Sequence, residues 1–221
     1  MSVRISNSLI SAVDWYLTAP NTAHNKKEGE TWKSDALNQL KSLIFKMPFI
    51  ESEEMKHGLV FEEFLYKCAL NNKRGKTELF NKVLNNIIGA QYQKWMKQLR
   101  FGVTYDMKGY NIVMSGKIDV LKEDKIIDIK TTNSFNKDKY TNSWQHIIYC
   151  IGTGLLNFEY HVITWGKYPT IKSYDIVPFN CNKDDLYYIY KPMLEKKIEE
   201  CLAVIDQLGY LKEYLSGFYC I

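Results

Sequence analysis

Three features of the 221-residue sequence predict an α/β fold with a central mixed sheet, flanking helices and a helical N-terminal region. Two runs rich in β-branched residues, 112–121 and 126–129, flank the polar tetrapeptide Lys122-Glu123-Asp124-Lys125, which has the length of a hairpin connection. Upstream, apolar residues recur at helical spacing over 53–70 and 77–99. Downstream, a helix over 143–156 separates the hairpin from two further strands at 158–165 and 171–176.

Taken in order, residues 5–17 read as a short helix, with Leu9, Ile10, Val13, Trp15 and Leu17 apolar. Residues 20–31 are a polar loop carrying Lys26, Lys27 and Gly29. A helix over 34–45 begins at Ser34, a good N-cap, and is broken by Met47-Pro48. In the 53–70 helix, Leu59, Phe61, Phe64, Leu65 and Cys68 include several three- and four-residue spacings. Glu62 and Glu63 sit in its middle, and one of them should turn inward. His57, near its start, suits a cap or surface position. Residues 71–76 form a turn with Gly75 and three basic residues. The 77–99 helix carries its apolar face on Leu79, Val83, Leu84, Ile87 and Ile88. That face continues through Tyr92, Trp95 and Met96, with Lys94 and Lys97 exposed. Strands follow over 101–107, 110–121 and 125–132, with a turn at Gly109. The polar loop 133–142, with Lys137 and Lys139, comes directly after them and can reach a phosphate. A loop at 178–182 and a long charged helix over 184–208 precede an aromatic tail, 209–221, to which no element is assigned.

Centring the turn on Glu123-Asp124 sets Val120 opposite Ile127 and Asp119 opposite Asp128. Opposed residues hold their Cβ atoms about 4.5–5.5 Å apart on one face. Lys130 is two residues beyond Asp128 and shares that face. Ile118, Val120, Ile127 and Ile129 fall on the other, as core. Two opposed carboxylates repel, and a divalent cation turns that repulsion into a binding site; magnesium is usually held by one or two carboxylates with water and phosphate completing its shell. A lysine beside them can orient or deprotonate the attacking water, or stabilise charge on a phosphate. This is a pattern for metal-assisted phosphodiester hydrolysis. In the following helix Gln145 and Tyr149, four residues apart, share one face; Ile147, Ile148 and Ile151 can pack that helix on the sheet. Gln145 can bond Lys130, a water or a phosphate, and Tyr149 can support that network or touch DNA.

These residues resemble the PD-(D/E)XK nuclease superfamily, in particular its RecB-like and phage exonuclease branches. Asp119 matches the first acidic residue, with Ile118 where the motif's name has proline. Asp128-Ile129-Lys130 matches the (D/E)-x-K triplet, and Gln145-x-x-x-Tyr149 the Q-x-x-x-Y motif. Gly58-Leu59-Val60-Phe61-Glu62 resembles the G-x-x-x-E helix, whose glutamate helps to bind metal, and Ile5-Ser6-Asn7-Ser8-Leu9 resembles a serine-bearing opening. The resemblance implies a restriction-endonuclease-like core in a single domain over 1–221: a mainly helical region at 1–99, sheet and catalytic core at 100–180, and a C-terminal helix and tail at 181–221. It implies a magnesium-dependent deoxyribonuclease, manganese substituting, with Glu62, Asp119, Asp128 and Ile129 as metal positions. Asp119, Asp128, Lys130, Glu62, Gln145 and Tyr149 form the implied catalytic set. The implied activity is that of a phage-type exonuclease on linear duplex DNA in recombination or repair. The alternatives are an endonuclease of restriction or repair type and a non-catalytic DNA-binding scaffold, against which the intact Asp119, Asp128 and Lys130 argue. Besides DNA, a single-strand annealing recombinase and a homo-oligomer are partners the resemblance allows.

Composition is compatible with this. No run of eighteen apolar residues and no basic-then-apolar leader appears, so the expectation is a cytoplasmic protein of a bacterial or phage-infected cell, without a membrane partner. The net charge of +4 permits DNA binding without arguing for it. The cationic residues are nearly all lysine, the arginines being Arg4, Arg74 and Arg100. Cys68, Cys150, Cys181, Cys201 and Cys220 are odd in number and scattered, which favours free thiols. Some relatives hold an iron–sulfur cluster with one early and three late cysteines; without a C-x₂-C pair, no cluster is expected here.

Overall fold

A computed structural model describes residues 2–22, 31–48, 51–71, 73–88, 95–107 and 109–216. The chain runs β1 (Ser2–Ile5), α1 (Asn7–Thr18), α2 (Trp32–Ile44), α3 (Glu53–Leu70), α4 (Glu78–Ile88), β2 (Trp95–Met107), β3 (Tyr110–Lys122) and β4 (Lys125–Thr132). It continues through α5 (Lys137–Thr141), α6 (Gln145–Thr153), β5 (Asn157–Trp165), β6 (Ile171–Asn180) and α7 (Lys183–Asp185). A π-helical turn, Leu186–Tyr190, leads into α8 (Lys191–Gln207), and α9 (Leu211–Ser216) follows. The architecture is the predicted α/β one: a six-stranded mixed sheet with helices on both faces.

The sheet has an unusual middle. β2 pairs antiparallel with β3 along nearly its whole length, from Met107↔Tyr110 to Trp95↔Lys122. The opposite edge of β3 is therefore shared. β1 lies parallel against residues 111–114, and β4 lies antiparallel against residues 120–122. Among the described residues, none forms a strand beside 115–119 on that edge. Beyond β4 the sheet continues with β5, parallel, and β6, antiparallel.

Two apolar clusters sandwich the sheet. The larger gathers α1, α2, α6, α8 and α9 over Ile112, Met114, Phe158, Tyr160 and Val162. The smaller gathers α3 and α4 over Val120, Ile127, Ile163 and Trp165. β5 shows why: Phe158, Tyr160 and Val162 alternate to one cluster, Ile163 and Trp165 to the other, as the two-residue strand period requires. Cys68 belongs to the smaller cluster and Cys150 and Cys201 to the larger, so the sheet separates them; Cys220 lies outside the described residues.

Several boundaries differ from the sequence reading. Residues 2–5 form a strand, and the first helix begins only after Ser6, whose hydroxyl accepts from Leu9 N at 3.3 Å. The second helix starts earlier than predicted: Thr31 is its N-cap, and Ser34 closes a reciprocal capping box with it. The helix predicted over 77–99 ends at Ile88, and residues 95–99 are strand; Tyr92 and Lys94 lie outside the described residues, as do Lys26, Lys27 and Gly29. The loop at 133–142 contains the short α5. The helix predicted to reach residue 156 ends at Thr153, where Gly154 turns left-handed and returns its N–H to Cys150 O. β6 runs to Asn180, past the predicted 176, and α9 occupies a portion of the unassigned tail. His57 stacks on Tyr168, with ring centroids 3.8 Å apart.

Gly58 sets the distance between α3 and the sheet. A Cβ there would stand 2.7 Å from Thr131 Oγ1 on β4, closer than packed atoms approach. Gly58→Ala should therefore cost roughly 1–2 kcal/mol through overpacking. In a Thr131→Ala background the same change should be neutral or stabilising, since alanine exceeds glycine in helix propensity by about 1 kcal/mol. Urea denaturation of the four proteins measures the coupling; equal effects in both backgrounds would mean that this contact does not set the spacing.

Candidate active site

The predicted register is observed where the turn dictates it, with Val120↔Ile127, Leu121↔Ile126 and Lys122↔Lys125 paired and Glu123 taking the left-handed turn position at φ 55°. The ladder then stops. Asp119 is not a ladder partner of Asp128; its Oδ2 instead accepts the Ile129 N–H at 2.8 Å. Of the four residues predicted to share a core face, Val120 and Ile127 lie in the smaller cluster with Ile129 packed against it, whereas Ile118 lies in the larger.

The open stretch of β3 must satisfy its polar main chain in another way. Tyr149 contributes from α6: its hydroxyl donates to Lys117 O at 2.9 Å and accepts from Lys117 N at 3.3 Å. Gly116 makes room for the ring, since a Cβ there would lie 2.8 Å from Tyr149 Cε2 and 2.5 Å from Phe101 Cε1. Tyr66 contributes from α3. Its hydroxyl lies between the main-chain oxygen of Asp119, at 2.9 Å, and Glu62 Oε1, at 2.6 Å. Tyr149 thus bonds the main chain of Lys117 besides its side-chain hydrogen bond with Gln145.

The gap forms a cavity of about 500 Å³ reached from both faces of the sheet. Glu62 enters it from α3, Lys117 and Asp119 from β3, Asp128, Ile129 and Lys130 from β4, and Gln145 and Tyr149 from α6. All the residues named from the sequence meet here. Glu63 does not: it is exposed and pairs with Lys67 at 2.7 Å. Asp128 is 2 % exposed. Its Oδ1 accepts from Gln145 Nε2 at 2.5 Å, and its Oδ2 lies 2.8 Å from Lys130 Nζ without a well-aligned hydrogen bond. Gln145 therefore bonds Asp128 and not Lys130. Tyr66 and Lys117 were not singled out from the sequence. Tyr66 follows Glu62 by four residues, one helical turn, so its spacing carried the signal.

Electrostatics follow from this crowding. Burial, then the charges of Asp128 and Glu62, push the Asp119 carboxyl up to about 8 against the opposing pull of Lys130 and the Ile129 N–H. Burial works against the charge on Lys130, but Asp128, followed by Asp119, overcomes it and holds the ammonium above its usual range. Burial and the adjacent Glu62 raise the Tyr66 phenol, which stays a donor.

Among the described residues no three His, Cys, Asp or Glu side chains are gathered as a ready-made metal cage. The donor set nevertheless suits a cation of the magnesium class, which takes one or two carboxylates and fills its shell with water and phosphate. Asp119, made a stronger base by burial and by its acidic neighbours, is the carboxylate that gains most from an added positive charge. Ile129 has only its carbonyl oxygen to offer.

The raised carboxyl makes a sign-definite prediction. A group whose acidity is weakened by folding destabilises the native state once the unfolded chain ionises. Metal-free stability should therefore fall as pH rises from about 4 to about 8. Asp119→Asn removes the titrating charge and should flatten that fall. With chelator present it should melt higher than the wild type at pH 8 and equally near pH 4, a gain on the order of a few kcal/mol at most. Thermal unfolding across pH measures it; parallel curves would show that no such strain exists.

No protein-family profile matches the chain, and none of the curated proteins does. Solved structures do. The chain is similar to an alkaline exonuclease from Laribacter hongkongensis, at 13% identity and a TM-score of 0.48, over 96% of this chain and 94% of that one. It is also similar to a phage-related exonuclease from Haemophilus somnus 129PT, at 13% identity and a TM-score of 0.44, over 97% and 93% of the two chains.

Proposed function

We propose that the protein is a metal-dependent deoxyribonuclease that hydrolyses phosphodiester bonds, acting as an exonuclease on linear duplex DNA in recombination or repair. The observation that carries this reading is the convergence of Glu62, Asp119, Asp128 and Lys130 on one cavity from three separate elements. Burying Asp119 within reach of the charges of Asp128 and Glu62 is costly. Their arrangement makes chemical sense when a cation and a phosphate share the space.

A magnesium-class ion held by Glu62, Asp119, Asp128 and the Ile129 carbonyl would supply Lewis-acid charge at the phosphate and lower the pKa of the attacking water. The chain's own residues do the rest. Lys130, whose side chain is 36% exposed, presents an ammonium to the phosphate oxygens as negative charge builds on them. Gln145 holds the Asp128 carboxylate in one orientation. Tyr66 and Tyr149 are positioning residues that pin the main chain of Asp119 and Lys117.

DNA as substrate is supported by a second cavity, also about 500 Å³, which shares Lys117 with the first. Arg4, Lys46, Arg100 and Lys117 line it, so two of the chain's three arginines stand beside the carboxylate cavity. Such a cluster suits the phosphates of a strand entering the site. β1, α1 and α2 wall that side, and Lys139 stands beyond Lys130 on the other. The wall of β1, α1 and α2 on one side favours an entering end over an internal segment.

The side chains separate by role. Asp128→Asn and Glu62→Gln should abolish or strongly impair cleavage, while Glu63→Gln should leave it unchanged. Lys130→Ala should slow it by about 100-fold or more while calorimetric magnesium affinity changes little, because an ammonium is not a ligand. Loss of metal binding in Lys130→Ala would make that residue structural.

The substrate test compares linear duplex with covalently closed circles. With magnesium or manganese, linear DNA should be degraded to mononucleotides or short products and circles spared; calcium should not support the reaction, since it coordinates more loosely. Efficient cutting of circles would replace the exonuclease reading with an endonuclease. DNA binding without cleavage would favour a scaffold.

A further inference from the structure

Lys130 and Gln145 form a wall with a cavity on either side. One side is the carboxylate cavity described above. The other is a separate space of about 440 Å³ between α1, α5 and the start of α6, within the size range of pockets that take small ligands. Its lining differs in kind. No carboxylate of the candidate site enters it, and the one acid that lines it, Asp14, is paired with Lys197; it presents Asn7, Asn142 and Trp144, with Lys139 at its rim. Asn7 lines the cavity with part of its side chain, while its Oδ1 is shielded from solvent. Trp144 is half-buried, packed partly on the larger cluster and partly against the cavity. The segment that carries it is fixed: Asn142 N bonds Asp138 O at 3.0 Å, and Gln145 N bonds Ser143 Oγ at 3.2 Å.

We propose that this cavity is a nucleobase subsite, taking the base of the nucleotide next to the phosphate that Lys130 engages. The inference rests on the nuclease reading for its placement and on the cavity for its chemistry. An aromatic ring flanked by amide side chains suits a flat heterocycle: the ring offers a stacking face, and amides bond base edges. Lys139 at the rim suits the adjoining phosphate. A bare phosphate or a metal ion would leave Trp144 unused.

Two probes separate the base from the phosphate: dAMP and deoxyribose 5-phosphate, titrated calorimetrically into the full chain with chelator present. The wild type should bind dAMP more tightly. Trp144→Leu and Asn7→Ala should each weaken dAMP by roughly 10-fold, a loss in the range of one base-stacking contact, and leave the sugar phosphate unchanged. Trp144→Phe should restore most of the affinity, which a merely structural role would not require, and melting curves identify any variant that fails to fold. The exposed Asn142→Ala gives a second reading independent of the core. In cleavage, the same variants should raise KM and leave kcat within about 3-fold, opposite to Lys130→Ala. Equal binding of the two probes by the wild type, or dAMP affinity indifferent to all three positions, overturns the subsite while leaving the nuclease reading intact. Base-dependent binding with no cleavage of any DNA keeps the subsite and rejects the nuclease.

Discussion

The structure turns on a main-chain constraint. A strand cannot leave buried N–H and C=O groups unpaired, yet among the described residues β3 has no neighbouring strand on one edge between the stretches covered by β1 and β4. Two tyrosine hydroxyls bond into that deficit, one from each helical layer. Filling it with side chains leaves room for more side chains. The carboxylates and the lysine occupy the opening that a further strand would have closed. The polar bonds that repair the sheet therefore also hold Asp119 and Lys117 in place around the cavity.

This arrangement explains why the chemistry draws on such distant segments. Asp128 and Lys130 stand together on β4, held by Gln145 from the larger layer. Glu62 arrives from the smaller layer and is tied to the sheet by Tyr66. An uninterrupted sheet would separate the two layers; the opening beside β3 lets them share one cavity. Burial together with the mutual repulsion of the acids is the local cost, visible in the raised Asp119 carboxyl.

Much of this was legible in the sequence where a local rule governed. The polar tetrapeptide fixed the hairpin register through Val120 and Ile127, and helical periodicity gave α3 to the residue. What escaped were features set by tertiary partners. β1 is four residues long and gains its identity from β3 alone. The start of β2 was read as helix because Trp95, Met96 and Leu99 also fit a helical repeat; only pairing with β3 decides between the two. The motif placed Tyr149 at the site but could not reveal that its partner is a peptide unit thirty-two positions away. Asp119 and Asp128 were expected to face one another because the hairpin pattern extrapolates; the paired ladder ends at Val120 and Ile127, and a side chain bridges the strands beyond it. The two fates of Glu62 and Glu63 followed from helix phase, which the G-x-x-x-E resemblance indicated and the packing of Gly58 on Thr131 and of Phe61 and Leu65 in the smaller cluster displays.

That single glycine contact has a further consequence. The smaller layer rests on its own apolar cluster, built around residues such as Leu65, Phe80 and Leu84, and it delivers one carboxylate to a constellation otherwise mounted on the larger one. The molecule is in this sense a caliper, with one jaw on each core and the glycine as its stop. Changes deep in the smaller core reset the opening of the jaws without touching either tip. Evolution could thus tune the reach of Glu62 through buried apolar substitutions far from any charged residue, a freedom that a site built wholly on one sheet face would lack.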